Sequence, residues 1–189
     1  MNPIALVLTL WFLIALGIGF SGLLARAPLP PPAIALAMTA VALVLWRIPA
    51  VRTHVRRAGP RPLVAFHLTR GLAGGYFLYL HAQGGLPAEF ARVAGWGDIV
   101  VAIGAIGVLR FCIPILTRGQ ELALLVWNAV GLADILFVLS RGVRLFMADP
   151  AFGTAFTTLP LALLPTFVVP LVIATHVALF VSRDTRLRR

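Results

Sequence analysis

The sequence contains no lysine, a single cysteine and only six acidic residues among its 189 positions. Without a lysine amine, the chain cannot hold retinal or pyridoxal phosphate as a Schiff base, and it cannot build a Walker-type phosphate loop. With Cys112 as the only thiol, an intramolecular disulfide, a CxxC redox pair and a cluster of thiolate metal ligands are excluded. These absences remove several cofactor and redox classes.

Apolar residues, in contrast, make up 60% of the chain, and the mean hydropathy is +0.98. A soluble domain of this length has too much water-exposed surface for such a composition. Only helices and closed barrels satisfy their backbone polar groups in lipid, and the apolar runs here are continuous rather than alternating over about ten residues. We therefore predict an all-α integral membrane helical bundle in which residues 1–189 form a single transmembrane domain.

Six apolar runs predict about six transmembrane helices. The first is interpreted as a retained helix rather than a cleaved signal peptide, because no basic residue precedes it and it is longer than a typical signal core. The last contains Pro165 and Pro170, which should free backbone carbonyl groups and kink the helix. The predicted helices cover residues 4–24, 33–46, 63–80, 99–116, 122–139 and 159–181.

The segment between the third and fourth predicted helices, residues 81–97, is too polar to cross a membrane. Within it, Pro87 suits the first turn of a helix and Gly95 can end it. We predict a short periplasmic interfacial helix here, with Trp96 as its anchor at the membrane surface. Asp98 is then expected to cap the start of the fourth helix.

All sixteen basic residues are arginines, and the formal net charge is +10. Because most of these arginines lie between the apolar runs, membrane orientation explains them better than nucleic-acid binding does, and the predicted partner is the lipid bilayer. With both termini inside, ten arginines fall on the cytoplasmic side and four outside, which predicts an N-in, C-in topology. The inside set is Arg47, Arg52, Arg56, Arg57, Arg61, Arg118, Arg183, Arg186, Arg188 and Arg189, and the outside set is Arg26, Arg92, Arg141 and Arg144.

Five polar side chains on four predicted helices fall at a similar estimated depth. At a rise of about 1.5 Å per residue, counting from the predicted helix ends places them roughly 8 to 12 Å from the cytoplasmic surface. Polar groups at such a depth are costly, so we predict that all five line one cytoplasmic-side cavity. The alternative is a separate structural role for each, in which arginines reach the headgroups and the other side chains bond to neighbouring helices. The five are His67, Arg70, Arg110, Asn128 and His176.

Asp134 lies near the middle of the membrane on the fifth predicted helix, where a lone carboxylate must be paired, protonated or hydrated. Arg141 is two helical turns away, so Arg70 of the third helix is the expected partner. A structural ion pair and a role in proton relay both stay open at this stage.

Several short motifs between roughly residues 63 and 180 occur together in this chain. They are Arg70-Gly71, Leu86-Pro87, Gly95-Trp96-Gly97-Asp98, Trp127-Asn128 with Gly131 and Asp134, and Pro165-Thr166-Phe167 with Pro170 and His176. With these motifs the chain resembles a family of small uncharacterised bacterial polytopic membrane proteins. The resemblance implies a location in the bacterial inner membrane, and it implies no particular activity.

The function that fits these residues best is the binding or transport of a small or amphiphilic ligand. Arg70 and Arg110 would attract an anionic ligand, Asn128 would orient it, and the small size of the chain could be compensated by a homo-oligomer. In a proton-coupled version, the protons would be carried by His67, His176 or Asp134.

The sequence leaves two other functions open as alternatives. A membrane redox protein could hold a b-type haem, because His67 and His176 lie at one depth on different helices and could ligate iron axially. A structural or accessory subunit would use the polar groups for assembly. The sequence shows no convincing nucleophile with an adjacent base, which argues against a membrane hydrolase, and it leaves enzyme activity of other kinds open. It predicts no metal site apart from the haem alternative.

Overall fold

The computed structural model describes residues 3–182, and all regular secondary structure within them is helical. No β-strand occurs in this part of the chain, so the all-α prediction is confirmed for it. Short 3₁₀ helices cover Leu23–Arg26 and Pro150–Thr157, and a π-helix covers Leu164–Val168. The α-helices are α1 (Pro3–Ser21), α2 (Pro31–Leu45), α3 (Pro49–Ala58), α4 (Pro60–Phe66), α5 (Thr69–Ala82), α6 (Ala88–Phe111), α7 (Arg118–Ala148) and α8 (Val169–Val181).

Four helical segments are long and apolar enough to cross a membrane, and a fifth is added if the bent pair α2 and α3 counts as one span. Their length and composition indicate a membrane protein. The number is below the six predicted because α4 and α5, which share the third predicted span, are each too short to cross alone. The four segments are Ile4–Ser21, Ala88–Phe111, Arg118–Ala148 and Leu164–Val181.

The third predicted helix is interrupted at His67 and Leu68, so the expectation of one continuous helix is wrong. The N–H of His67 donates to the carbonyl of Val64 at 3.0 Å, and the N–H of Leu68 donates to the carbonyl of Ala65 at 3.1 Å. Bonds to the third preceding residue are those of a tight 3₁₀ turn. This turn lies just before Arg70, the most buried arginine of the described chain.

The predicted interfacial helix is also wrong as a separate element, because α6 runs without a break from Ala88 to Phe111. Pro87 stands at the start of α6, as the sequence predicts for a helix beginning there, but Gly95 lies inside the helix and does not end it. Asp98 is consequently not an N-cap. It lies in the middle of α6 and is buried.

Close packing of α5 against α6 explains why glycines are tolerated inside these helices. A methyl group on Gly95 would lie 2.7 Å from Leu78 Cγ, and one on Gly74 would lie 3.0 Å from Asp98 Cβ. Contact at this distance offsets the low helix propensity of glycine. Gly71 and Gly75 have the GxxxG spacing of a helix-packing motif, but only Gly71 is in close contact: a methyl group on it would lie 3.2 Å from Ala102 Cβ, whereas no atom lies within 4 Å of one on Gly75.

Several other helix ends differ from the predicted ones. Helix α7 covers Arg118–Ala148 rather than residues 122–139, so Arg141 and Arg144 lie in a helix and not in a loop. Helix α6 ends at Phe111, five residues before the predicted end, and Cys112 follows as its C-cap. The polar stretch 47–62 is not a loop but contains α3 and the start of α4, separated by Gly59 at a positive φ of 73°. The N-in, C-in topology stays a prediction, since four of its predicted cytoplasmic arginines lie outside the described residues: Arg183, Arg186, Arg188 and Arg189.

The chain divides into two compact units. The first contains residues 3–54 and Gly142–Ala174, and the second contains Val55–Arg141 and residues 175–182. The second unit has a core of buried apolar side chains from α4, α6, α7 and α8. Its members are Val64, Val101, Ala105, Val108, Cys112, Leu124, Trp127 and Leu179.

In the first unit, the prolines of the last predicted span disturb the helix as expected. Pro170 has no N–H, so the carbonyl of Thr166 lacks its α-helical donor. The indole of Trp11 donates to this carbonyl at 2.9 Å, and the Trp11 ring meets Phe167 edge-on with 5.4 Å between centroids. The freed backbone group is therefore satisfied by a side chain of α1.

Candidate functional site

The site centres on Arg70, whose guanidinium is buried between α5, α6 and α7. Its Nε donates to Asp98 Oδ1 at 2.6 Å, and its Nη2 donates to Asp134 Oδ2. Its Nη1 donates to the carbonyl of Gly131 at 3.0 Å. The predicted pairing of Arg70 with Asp134 is therefore confirmed, and Asp98 is a second partner that the sequence analysis missed.

Arg70, Asp98 and Asp134 form a triad whose charges do not cancel. One guanidinium faces two carboxylates, so the sum is −1 when both aspartates are ionised. The side chains are 2% exposed for Arg70, 8% for Asp98 and 18% for Asp134. A surplus charge on side chains with so little access to water is costly, and binding of a proton or a small cation would neutralise it.

His176 of α8 extends the polar network from Arg70 to Asn128. Its Nε2 lies 3.5 Å from Arg70 Nη1, and its Nδ1 lies 2.8 Å from Asn128 Oδ1. Because a guanidinium only donates, Nε2 accepts and Nδ1 carries the hydrogen that Asn128 receives. The Asn128 amide in turn donates to the His176 carbonyl at 3.0 Å. The imidazole is thereby fixed in one neutral tautomer.

His67 lies directly on His176, with 4.1 Å between ring centroids and 35° between the ring planes. Its Nε2 is 3.2 Å from Thr175 Oγ1, and the Trp127 ring meets it edge-on at 5.3 Å. Its Nδ1 is buried and has no hydrogen-bond partner among the described residues. Buried ring nitrogens are normally hydrogen-bonded, so this atom marks a place where a water molecule or a ligand atom would fit the chemistry.

Two glycines of α6 and α7 make room for side chains of the site. A methyl group on Gly97 would overlap the Asp134 carboxylate, and a methyl group on Gly131 would lie 2.6 Å from His176 Cε1. Any larger residue at either position would have to displace a polar group of the site. The site thus depends on backbone positions as well as on charged side chains.

The structure brings together five of the six predicted site residues and leaves one out. His67, Arg70, Asn128, Asp134 and His176 form the network, whereas the Arg110 side chain is exposed and lies 5.5 Å above the Phe111 ring. The predicted depth of Arg110 assumes that residues 112–117 continue the helix to the cytoplasmic surface, but α6 ends at Phe111. Arg110 therefore belongs to the last turn of its helix and not to the predicted layer.

Asp98 could have been found from the sequence by treating residues 88–111 as one helix. The buried residues Ala91, Ala94, Val101 and Ala105 follow the spacing of one helix face, and Asp98 falls on the same face. An ionisable residue in the middle of such an apolar stripe indicates a functional or paired group.

The two histidines do not fit the haem alternative. A metal–imidazole bond is about 2 Å long, so two axial rings on opposite sides of one iron have centroids about 6 Å apart with the porphyrin between them. The observed 4.1 Å between stacked rings leaves no such space. Within residues 3–182, no group of three or more His, Cys, Asp or Glu side chains could hold a metal ion.

Comparison with known proteins identifies one family. A family model described as a domain of unknown function, DUF8737, matches residues 30–182, which covers most of the chain and every residue of the site. No curated protein and no solved structure matches the chain.

Proposed function

This chain belongs to the DUF8737 family, and we propose that it is a bacterial inner-membrane protein that takes up a proton at Arg70, Asp98 and Asp134 and couples it to the binding or transport of a small or amphiphilic ligand. The observation that carries the proposal is a single guanidinium held between two carboxylates in an apolar interior. A purely structural pair needs only one carboxylate.

The hydrogen bonds that Arg70 already makes favour a proton or a cation, rather than an anion, as the species that binds at the site. Two of the three partners of its guanidinium nitrogens are carboxylates, so the positive charge that an anionic ligand would need is already balanced. Arg110, the other expected source of positive charge, is outside the site. The negative surplus of the triad instead attracts positive charge.

Asp134 is the carboxylate at which the proton enters. Its side chain is more exposed than that of Asp98, 18% against 8%. When Asp134 is protonated, Arg70 keeps Asp98 as a neutral pair, and the attraction that holds α7 against α5 becomes weaker. Proton uptake would thereby change the contact between two helices, which is what coupling to a ligand requires.

The arginine distribution supports six crossings with both termini in the cytoplasm. In this arrangement α4 and α5 cross together as one broken helix, and α2 crosses as a short span of 15 residues that begins at Pro31. Broken helices at membrane depth are tolerated where they are buried in protein or line a cavity.

Proton movement into vesicles tests the proposed function. The purified protein is placed in phosphatidylethanolamine and phosphatidylglycerol vesicles containing a trapped pH-sensitive dye, and potassium with valinomycin sets the membrane potential. We expect the wild type to acidify the lumen faster than protein-free vesicles and Asp134→Asn to lose this excess rate.

Asp149→Asn is the matched control, because Asp149 is an exposed carboxylate that caps a 3₁₀ helix through the N–H of Ala151. It should transport like the wild type. Folding of each variant is checked by circular dichroism and size-exclusion chromatography. Equal proton entry for the wild type and Asp134→Asn, with both folded, would contradict proton transport through this site.

A further inference from the structure

Helix α3 is an amphipathic helix without acidic residues. It carries Arg52, Arg56 and Arg57, and it is flanked by Arg47 and Arg61. All five arginine side chains are exposed, and none of them forms an ion pair within residues 3–182. The first acidic residue in the sequence is Glu89, so no carboxylate lies within 25 residues of these arginines along the chain.

The two faces of α3 differ in polarity and in burial. Val51, His54 and Val55 share one face at helical spacing and are half-buried. Arg52, Arg56 and Arg57 lie on the opposite face. A short helix with one apolar face and one arginine face is typical of a helix that lies in the plane of a membrane surface.

The direction of α3 agrees with this placement. Its axis is bent by 88° from α2, which ends four residues before α3 begins and which is strongly apolar. If α2 crosses the bilayer, a helix turned by a right angle at its end runs along the surface. The N-in topology predicted from the arginine bias would put this surface on the cytoplasmic side, where anionic lipids are abundant.

We propose that α3 lies in the headgroup layer and binds anionic phospholipids through Arg52, Arg56 and Arg57. Guanidinium groups bind phosphate oxygens with two parallel hydrogen bonds, and the parts of Val51 and Val55 that the protein leaves exposed would rest against the acyl boundary. The partner is identified by charge complementarity, since the helix offers three arginines and no competing carboxylate. This inference is independent of the proton site, because it uses no residue of that site.

Lipid selectivity of the full-length protein tests the inference. The protein is reconstituted in phosphatidylcholine vesicles that contain either spin-labelled phosphatidylglycerol or spin-labelled phosphatidylcholine. The motion-restricted fraction of each label gives the relative affinity of the protein for the anionic lipid. One arginine near an anionic surface is worth about a fivefold change in affinity.

We expect the triple variant Arg52→Gln, Arg56→Gln, Arg57→Gln to lower the selectivity for phosphatidylglycerol at least about fivefold. The matched control changes three exposed arginines outside α3: Arg92→Gln, Arg118→Gln and Arg144→Gln. This control removes the same charge and should keep most of the selectivity. Raising the salt concentration should lower the selectivity of the wild type by screening.

Several results would overturn the inference. They are an unchanged selectivity in the folded α3 variant, an equal loss in the control, and a selectivity that does not depend on salt. Inorganic phosphate added at constant ionic strength distinguishes a membrane surface from a soluble phosphate site. Loss of the lipid selectivity upon that addition would favour the soluble ligand and contradict docking on the bilayer.

Discussion

The two compact units treat buried polar groups in different ways. In the first unit, Thr39 Oγ1 donates to the Ala35 carbonyl and Thr166 Oγ1 to the Ala162 carbonyl, each at 2.7 Å, while Trp11 satisfies the carbonyl freed by Pro170. In each of these bonds a side chain donates to a backbone carbonyl. In the second unit, charged side chains contact one another, their charges do not cancel, and one histidine nitrogen has no partner.

This difference separates a structural use of polarity from a functional one. Neutral hydrogen bonds to backbone groups stabilise a kinked helix and leave nothing for another molecule to complete. A buried triad with a surplus charge is less stable than a neutral pair, so its presence needs another explanation. Proton uptake by the triad supplies that explanation.

The largest expected effect is that of Arg70→Met, which leaves Asp98 and Asp134 facing each other without a cation. Removal of one partner of a buried ion pair costs about 3 to 5 kcal/mol. The loss is measured as a change in the free energy of unfolding in a mixed detergent titration. Arg110→Met is the control, because its side chain is exposed, and it should change the stability by less than about 0.5 kcal/mol. Similar losses for the two variants would refute the special role of Arg70.

A smaller effect is expected for Gly131→Ala in the second unit. The added methyl group would lie 2.6 Å from His176 Cε1, so we expect a loss of about 1 to 3 kcal/mol from overpacking. Gly75→Ala has open space around the new methyl group and should be neutral or stabilising by up to about 1 kcal/mol. Thermal unfolding of the two variants side by side checks this, and equal midpoints would contradict the close packing of His176.

In the first unit, Trp11→Phe removes the donor to the Thr166 carbonyl. The expected loss is about 1 kcal/mol, the net contribution of one neutral hydrogen bond. Trp96→Phe changes an exposed tryptophan and should have little effect. Proton uptake should be unchanged in Trp11→Phe, and a clear loss of it would show that the two units do not divide structure and function as described.

The smallest effect is expected for Asp134→Asn, although it removes a buried charge. Arg70 and Asp98 remain as a neutral pair, and the new amide oxygen can still accept from Arg70 Nη2. We expect a loss of stability below about 1 kcal/mol, since the variant resembles the protonated wild type. A loss as large as that of Arg70→Met would instead indicate that Asp134 serves mainly to hold the helices together.

Much of the site could be predicted from the sequence because polar residues in an apolar helix carry a large cost. This cost singled out His67, Arg70, Asn128, Asp134 and His176. Helix geometry placed four of them at one level and Asp134 nearer the middle of the membrane. The pairing of Asp98 with Arg70 was not predicted because Gly95 was interpreted as a helix end and Asp98 as the N-cap of the next helix, whereas Gly95 packs closely against α5 inside one continuous helix. Tertiary contacts of this kind cannot be derived from local propensity.

Helix ends are hard to predict from the sequence for the same reason. The depth of Arg110 depended on where α6 stops, and it stops before Pro114 rather than at residue 116. The break at His67 depends on a 3₁₀ turn that no proline or glycine marks in the sequence. Patterns of apolar residues predict that a helix exists better than they predict where it ends.

Infrared spectroscopy of the carboxyl groups tests proton uptake by the triad most directly. The protein is labelled with ¹³C at the aspartate carboxyl groups, reconstituted in lipid bilayers, and measured as the pH is lowered. We predict a protonated-carboxyl band of a dry environment in the wild type and in Asp149→Asn, and its loss in Asp134→Asn. Absence of this band from the wild type, or its persistence in Asp134→Asn, would contradict proton uptake at Asp134.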